Sequence, residues 1–231
     1  KNGFFYVLEA ATGKLLLAEP FTTMNWAKGV NLKTGRPIEV KGARYPAGTV
    51  WNLAPGVQGA HGWHSNAYSP VTGLMYVPTQ DAYFPMIEDP HYQRSDVGYN
   101  LGIDFGAPAT YYRKNPTEKQ EFIGFVKAWD PIAGKEIWRG EANQGPTGGA
   151  VATAGGLVFQ GGGSAQEFRA YDARSGEKLW SAKTQTGVVA APISYELDGQ
   201  QYIAVSVGGN QLGGYYAPNY SRLLVFGLNG Q

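Results

Sequence analysis

The chain has 231 residues with 33 Gly and 14 Pro, and 43% of the residues are hydrophobic. This hydrophobic content can form a core, which excludes intrinsic disorder, and a Gly or Pro at about every fifth position excludes a helical bundle. The net charge is +1 and no basic stripe interleaves with aromatic residues, which argues against nucleic-acid binding. No apolar run approaches the roughly 20 residues that a membrane span needs. The sequence has no Cys, so it can form neither disulfides nor thiolate metal sites. The high Gly and Pro content predicts an all-β chain with many tight turns.

The first predicted elements are two short strands over residues 4–8 and 14–18, which flank a tight turn. We interpret residues 1–24 as the last two strands of a four-stranded unit whose first two strands are absent. Residues 25–63 are interpreted as an excursion from the sheets. The chain opens on Lys1 without an initiator Met or a signal peptide, which indicates a piece cut from a longer polypeptide or a processed product.

Three further units of strands follow along the chain. Residues 64–145 form one four-stranded unit with a long insertion at 80–120, which is rich in Tyr, Pro and acidic residues. Residues 146–186 form a complete unit, and residues 187–231 provide three strands of a terminal one. The predicted strands are 65–69, 74–79, 123–130 and 136–141 in the first unit, 149–154, 157–161, 168–172 and 178–183 in the second, and 188–195, 201–207 and 222–227 in the third.

A sequence repeat, Ala-x-Asp-x-x-x-Gly-x-x-x-Trp, occurs twice in these units. The Asp is expected to bind the amides of its own turn, and the Gly to take the positive φ that a tight hairpin needs. A Trp that recurs once per unit is expected to pack against the neighbouring unit, with its N–H on a buried acceptor. The repeat residues are Asp130, Gly134 and Trp138 in the first copy, and Asp172, Gly176 and Trp180 in the second.

The spacing of the two copies indicates the architecture. A period of about 40–45 residues with four short strands is typical of the blades of a β-propeller. The alternative is a pair of unrelated hairpins in a β-sandwich. On the propeller interpretation the chain is a single partial β-propeller of antiparallel blades, and it does not close into a ring.

The same residues resemble the pyrroloquinoline quinone (PQQ)-dependent alcohol dehydrogenases. The repeat is similar to the tryptophan-docking motif of that family, and the opening segment KNGFFYVL resembles the segment that follows the active-site region. The segments GGLVFQG at 155–161 and DGQQYIAV at 198–205 resemble its last two blades. The resemblance extends over essentially the whole chain, so the chain is interpreted as the C-terminal part of such a propeller.

The resemblance implies a periplasmic, eight-bladed enzyme that oxidises alcohols at a PQQ–calcium centre and passes electrons to a cytochrome c. It also implies that the catalytic aspartate, the calcium-binding carboxylate and a disulfide between adjacent cysteines precede this segment. None of them has a counterpart in the sequence. We therefore expect no catalytic residue and no metal ligand in this chain, and no dehydrogenase activity from the chain alone.

Three residues are candidates for cofactor binding on the strength of the resemblance. Lys1 falls where the family places a basic residue against the quinone; the alternative is a frayed terminal lysine. Trp63 corresponds to a tryptophan that contacts the cofactor. Gly62 stands where relatives usually have an asparagine, which removes a hydrogen-bond donor and puts the cofactor affinity of the parent enzyme in doubt.

Two other features allow alternative interpretations. His61, His64 and His91 could suggest a metal site, but a structural or exposed role is favoured, because His61 and His64 are spaced three residues apart in a loop without a nearby carboxylate. The insertion is too long for a plain connection. By resemblance it would roof the substrate funnel or contact an electron acceptor, and its aromatic residues favour a packed loop over a carbohydrate platform.

A second class of function remains open, namely a non-catalytic scaffold or binding module built from the same repeats. Either way, open blades expose strand edges that soluble proteins usually cover. We therefore expect a homodimer, an edge-to-edge oligomer or association with a missing N-terminal half.

Overall fold

The computed structural model describes residues 1–45, 48–98, 100–208 and 221–228. Within these ranges the chain is built from antiparallel strands with one short helix, and no sheet is closed. In chain order the elements are β1 (Phe4–Leu8), β2 (Leu15–Pro20), β3 (Ala27–Asn31), β4 (Arg36–Glu39), β5 (Trp51–Leu53), β6 (Ala67–Ser69), β7 (Leu74–Ala82), β8 (Phe84–Met86), α1 (Ala107–Lys114), β9 (Phe122–Asp130), β10 (Lys135–Arg139), β11 (Asn143–Gln144), β12 (Thr147–Ala152), β13 (Leu157–Gly162), β14 (Glu167–Asp172), β15 (Lys178–Lys183), β16 (Ile193–Leu197), β17 (Gln200–Val207) and β18 (Arg222–Gly227).

The chain folds as two compact units. The first comprises Lys1–Ala60 and Asp81–Glu121, and the second comprises His61–Gln80 and Phe122–Gln231. The first unit contains three two-stranded pairs, β1–β2, β3–β4 and β5–β8, together with α1. The second contains sheets in the orders β6–β7–β9–β10, β12–β13–β14–β15 and β16–β17–β18, and β11 also pairs with β9.

The repeat turns have the predicted chemistry. Gly134 N donates to Asp130 O at 2.9 Å and Gly176 N donates to Asp172 O at 2.9 Å, with both glycines at positive φ, 63° and 76°. The Asp130 carboxylate also accepts two amides of its own turn, at 2.8 and 2.9 Å. The Asp172 carboxylate does the same at 2.9 and 2.8 Å. Glycine is favoured at both turns because positive φ is costly for residues that carry a Cβ.

Trp138 on β10 contacts the turn of the next sheet. Its indole Nε1 donates to the Ala173 carbonyl at 3.0 Å, and a Cβ built on Gly176 would lie 2.6 Å from the indole ring. The Tyr76 hydroxyl donates to the same carbonyl at 2.9 Å. Buried residues of both four-stranded sheets pack around this contact, namely Leu74, Tyr76, Val126, Ala128, Trp138, Ala150, Val158, Tyr171 and Ala173.

A second core lies between the β12–β15 sheet and the three-stranded β16–β18 sheet. Trp180, the repeat tryptophan on β15, meets the ring of Phe226 on β18 edge-on, with ring centroids 5.1 Å apart, and the ring of Phe168 edge-on at 6.2 Å. Unlike Trp138, which is 8% exposed, Trp180 is 39% exposed. It lines a cavity of about 430 Å³ together with Phe159 and Phe226. The two repeat tryptophans therefore have different surroundings.

Several predicted elements differ from the structure. The strand predicted at 188–195 begins only at Ile193, and β7 continues to Ala82, inside the segment assigned to the insertion. That insertion also contains β8 and α1, which lack the alternation that predicts a strand. The assignment of 1–24, 25–63, 64–145, 146–186 and 187–231 to separate blade segments stays a prediction, and residues 209–220 and 229–231 of the last segment lie outside the described residues.

A charged cluster crosses the β9–β10 pair. Glu136 accepts two hydrogen bonds from Arg139, at 2.6 and 2.7 Å, and lies 2.9 Å from Nζ of Lys127, whose side chain is only 5% exposed. The Arg139 guanidinium in turn lies over the Phe125 ring at 4.7 Å. The hydrogen bonds from Arg139, reinforced by Lys127, lower the pKa of Glu136 to about 2, although burial opposes the shift.

Replacing Glu136 by Gln should destabilise the fold in a pH-dependent way. Because the folded pKa lies below the unfolded value of about 4.3, the stabilisation is complete above that value and is lost as the pH falls towards 2. We expect Glu136→Gln to lower the free energy of unfolding by about 1–3 kcal/mol at pH 7, since the buried ammonium of Lys127 loses its carboxylate partner. Urea unfolding between pH 7 and 3 measures this difference, which should shrink below pH ~4.5.

The matched control is Glu177→Gln, which changes an exposed glutamate in the β14–β15 turn. Its effect should be small at every pH. A loss of stability in Glu136→Gln that is the same at pH 7 and pH 3 would contradict the assignment.

Candidate functional site

Lys1 is held in place in the first unit. Its Nζ donates to the Gln58 carbonyl at 2.7 Å, and its own carbonyl accepts from Ala60 N at 3.0 Å. Gly59 packs so closely against Lys1 that a Cβ there would lie 2.7 Å from Cδ of the lysine. An ammonium group has three N–H donors, so two remain for a ligand once Gln58 is bound. The Lys1 ammonium is therefore held against residues 58–60 by these contacts.

The neighbouring Asn2 joins this corner to Trp26. The Asn2 carbonyl accepts from Trp26 Nε1 at 2.8 Å, and its side-chain Nδ2 donates to the Tyr6 hydroxyl at 2.7 Å. The Trp26 ring also meets Phe4 edge-on at 6.0 Å. A cavity of about 290 Å³ opens at this corner and is lined by Lys1, Asn2, Trp26, Ala43, Leu53 and Pro55.

Asp81 is a buried carboxylate that sequence reasoning did not single out. It is 8% exposed and accepts hydrogen bonds from the Thr22 hydroxyl and, at 3.0 Å, from Thr23 N. A Cβ built on Gly3 would lie 3.1 Å from Cγ2 of Thr22. The sequence does offer a signal, because Asp81 comes almost directly after the predicted strand at 74–79. The insertion is assigned to start at residue 80, and Asp81 is therefore counted as one of its acidic residues.

Trp63 lies in the second unit with its indole largely in solvent. It is 68% exposed, and it stacks on the buried ring of His64 with centroids 4.4 Å apart and planes 26° apart. His61 Nδ1 lies 2.7 Å from the Pro78 carbonyl, which fixes the segment before it. Gly62, between these residues, is partly buried and carries no side chain. The segment thus offers a flat aromatic surface that is braced by histidine and open to a planar ligand.

The three histidines lie in different units, His61 and His64 in the second and His91 in the first. The rings of His61 and His64 are 6.5 Å apart, and His91 is exposed, with its backbone N donating to Asp89. Across the described ranges, no three His, Asp or Glu side chains come together so that they could hold a metal ion. Nor is any helix in those ranges long and apolar enough to cross a membrane.

The insertion carries an aromatic cluster in the first unit. The Tyr112 hydroxyl donates to Oδ1 of Asn52 at 3.0 Å, and the Tyr112 ring meets Tyr111 edge-on at 5.5 Å. Burial, helped by Tyr111 and Glu118, raises the pKa of Tyr112 to about 12, so it stays a neutral donor. The aromatic residues of α1 thus pack against neighbouring protein groups.

Comparison with known proteins gives these features a family context. A family model named PQQ, with the description glucose/ethanol/alcohol dehydrogenase, β-propeller domain, matches residues 139–203. The chain is 38% identical to the quinohemoprotein alcohol dehydrogenase ADH IIB of Pseudomonas putida over 100% of its length, which is 34% of that protein. It is 40% identical to the 1-butanol dehydrogenase (cytochrome c) of Thauera butanivorans, over 96% of the chain and 31% of that protein.

The fold is shared with a solved relative. The crystal structure of the quinohemoprotein alcohol dehydrogenase from Comamonas testosteroni superposes on the whole chain with a TM-score of 0.84 and 33% identity, and the chain covers 35% of that structure. The chain thus spans about a third of the length of the relatives it matches. Its antiparallel sheets form part of a β-propeller, and the chain belongs to the PQQ-dependent alcohol dehydrogenase family.

Proposed function

We propose that this chain is the C-terminal part of a periplasmic, PQQ- and calcium-dependent alcohol dehydrogenase that oxidises alcohols to aldehydes and passes electrons to a cytochrome c. The observation that carries the proposal is the likeness of the chain, over nearly its whole length, to a quinohemoprotein alcohol dehydrogenase and to a 1-butanol dehydrogenase named for cytochrome c. A bound PQQ supplies the electron-accepting quinone, and the metal supplies a Lewis acid.

We assign Trp63 a stacking role in cofactor binding. The exposed indole, braced from one side by His64, fits the flat ring system of a quinone cofactor. Gly62 beside it offers only backbone groups, so the affinity of this site rests more on stacking than on side-chain hydrogen bonds.

We assign Lys1 an electrostatic role. Its ammonium keeps two N–H donors beyond the bond to Gln58, and these can stabilise negative charge that develops on a quinone oxygen during reduction. The calcium ligands and the catalytic base would come from the part of the enzyme outside these residues. The chain alone should therefore show no PQQ- and calcium-dependent dye reduction.

We further propose that the repeat is a tryptophan-docking repeat that joins consecutive blades. The support is the contact of Trp138 with Ala173 and Gly176, which combines a buried hydrogen bond with ring packing on a glycine. In this arrangement a large indole packs between two sheets and its N–H finds a buried acceptor.

Titration of PQQ with calcium into the full-length polypeptide that carries this chain tests the cofactor site. Indole fluorescence should be quenched on binding, and Trp63→Leu should weaken binding about tenfold, as expected for the loss of one aromatic stacking partner. The control is Trp180→Leu, which removes another partly exposed indole away from the proposed site. Unchanged affinity in Trp63→Leu would contradict its role. Absence of binding at high micromolar PQQ would favour the non-catalytic scaffold instead.

The open strand edges lead to a prediction about assembly. In the described ranges β18 pairs only with β17 and leaves Leu223 and Val225 exposed, and β1 pairs only with β2. We expect the 231-residue chain by itself to form a homodimer or an edge-to-edge oligomer in light scattering, because bare edges recruit partners. Val225→Lys should shift the chain towards monomer, whereas Val71→Lys, at an exposed valine of a turn, should not. A sharp monomer peak at 24.9 kDa without a second polypeptide would contradict this expectation.

A further inference from the structure

The hairpin of β3 and β4 with its flanks concentrates positive charge. We call residues 27–44 the basic hairpin, because five of its six charged side chains are basic, whereas the whole chain has a net charge of only +1. The basic residues are all exposed. They are Lys28, Lys33, Arg36, Lys41 and Arg44, and the one acid is Glu39.

Most of this charge is not neutralised by the protein. Glu39 binds Arg44 through two short hydrogen bonds of 2.7 and 2.6 Å, which occupies the only carboxylate of the hairpin. Lys28, Lys33, Arg36 and Lys41 form no ion pair with any residue in the described part of the chain. The hairpin therefore presents an uncompensated positive field to solvent.

The tip of the hairpin is preformed and partly apolar. The Asn31 carboxamide oxygen accepts from Lys33 N at 2.9 Å and Thr34 N at 3.2 Å, and Gly35 N donates to the Asn31 carbonyl at 2.8 Å. These bonds hold the turn, on which Leu32 is 51% exposed, while Ile38 on β4 is exposed to the same extent. Exposed aliphatic side chains within a rim of cations resemble the composition of a small protein–protein interface.

The base of the hairpin is attached to the Lys1 corner. Val40 N donates to the Trp26 carbonyl at 2.8 Å, and the Trp26 indole donates to the Asn2 carbonyl. Ala43 lines the same cavity as Lys1. The base of the hairpin therefore lies beside Lys1, the residue to which we assign the stabilisation of negative charge on the cofactor.

We propose that the basic hairpin is a docking surface for a protein with an acidic surface, and, resting on the proposed function, that this protein is the electron acceptor. A transient electron-transfer partner needs a small interface and fast, steered encounter, which complementary charge provides. Docking next to the Lys1 corner brings the partner to the side of the unit where the cofactor's charge would be stabilised.

The position of the charges favours a protein over an anionic membrane. A membrane touched by the tip would meet Lys33 and Arg36, and two cations attract an anionic surface only weakly. Lys28 and Lys41 are each five residues from the tip pair, about 17 Å along the strands, which is beyond the screening length of about 8–10 Å. A partner that lies along the hairpin extends over the positions of all four cations, from the tip to the base.

Charge reversal tests the docking surface in the full-length polypeptide. The probe is a ferric c-type cytochrome with an acidic surface, immobilised for biolayer interferometry at low and at physiological ionic strength. Lys33→Glu combined with Arg36→Glu should weaken binding at low salt about tenfold, mainly through slower association, and physiological salt should reduce the wild-type affinity. The matched control, Lys14→Glu with Lys135→Glu, reverses two exposed lysines elsewhere and should stay within about twofold of the wild type.

Further measurements separate the possible outcomes. Equal cytochrome affinity in the hairpin variant and the wild type overturns the proposal. Binding of the wild type to phosphatidylcholine–phosphatidylglycerol vesicles without binding to the cytochrome also overturns it, in favour of a membrane surface. Reduction of a small neutral dye by the PQQ-loaded protein is expected to be equal in all variants. Absence of dye reduction contradicts the proposed function, and hairpin-dependent binding in that case supports an acidic partner but contradicts its role as electron acceptor.

Discussion

The contact between the Trp138 indole and the β14–β15 turn determines how the two four-stranded sheets pack. One N–H bonds the Ala173 carbonyl, and the ring face lies on Gly176, where any side chain would collide with it. The β14–β15 turn is itself held in place by the Asp172 carboxylate, which accepts hydrogen bonds from two backbone amides of the turn. A short motif of Asp, Gly and Trp therefore fixes both the hairpin of one sheet and the position of its neighbour.

The same motif has a different outcome at the next junction. Trp180 meets Phe226 across its ring and lines a cavity, so the three-stranded sheet is packed less completely than the sheet before it. In the first unit, contacts with a segment almost sixty residues further along the chain position Lys1, with Gly59 packed against it and Ala60 bonded to its carbonyl. Both Gly176 and Gly59 are placed where a neighbouring side chain occupies the space of a Cβ, which links the glycine-rich composition to packing as well as to turns.

The sequence predicted most of what depends on local chemistry. Strand alternation indicates β13, β14 and β15, and the turn between β14 and β15 could be predicted because the bond from Gly176 N to the Asp172 carbonyl forms within a few residues. Helix α1 and the short pair β5–β8 could not be predicted in this way, because the pairing partner of β5 lies about thirty residues away and α1 has no buried face. The stack of Trp63 on His64 was also missed, since neighbouring residues in a loop show no periodicity that would indicate such a contact.

The central claim is that an indole on a glycine turn joins consecutive blades, and a double-mutant cycle tests it most directly. Trp138→Leu and Gly176→Ala are measured singly and together by urea unfolding. If the contact exists, Gly176→Ala should be much less costly once the indole is gone, with a coupling energy of at least about 1 kcal/mol. Effects that add within about 0.3–0.5 kcal/mol would show that the two residues act independently and would contradict the account.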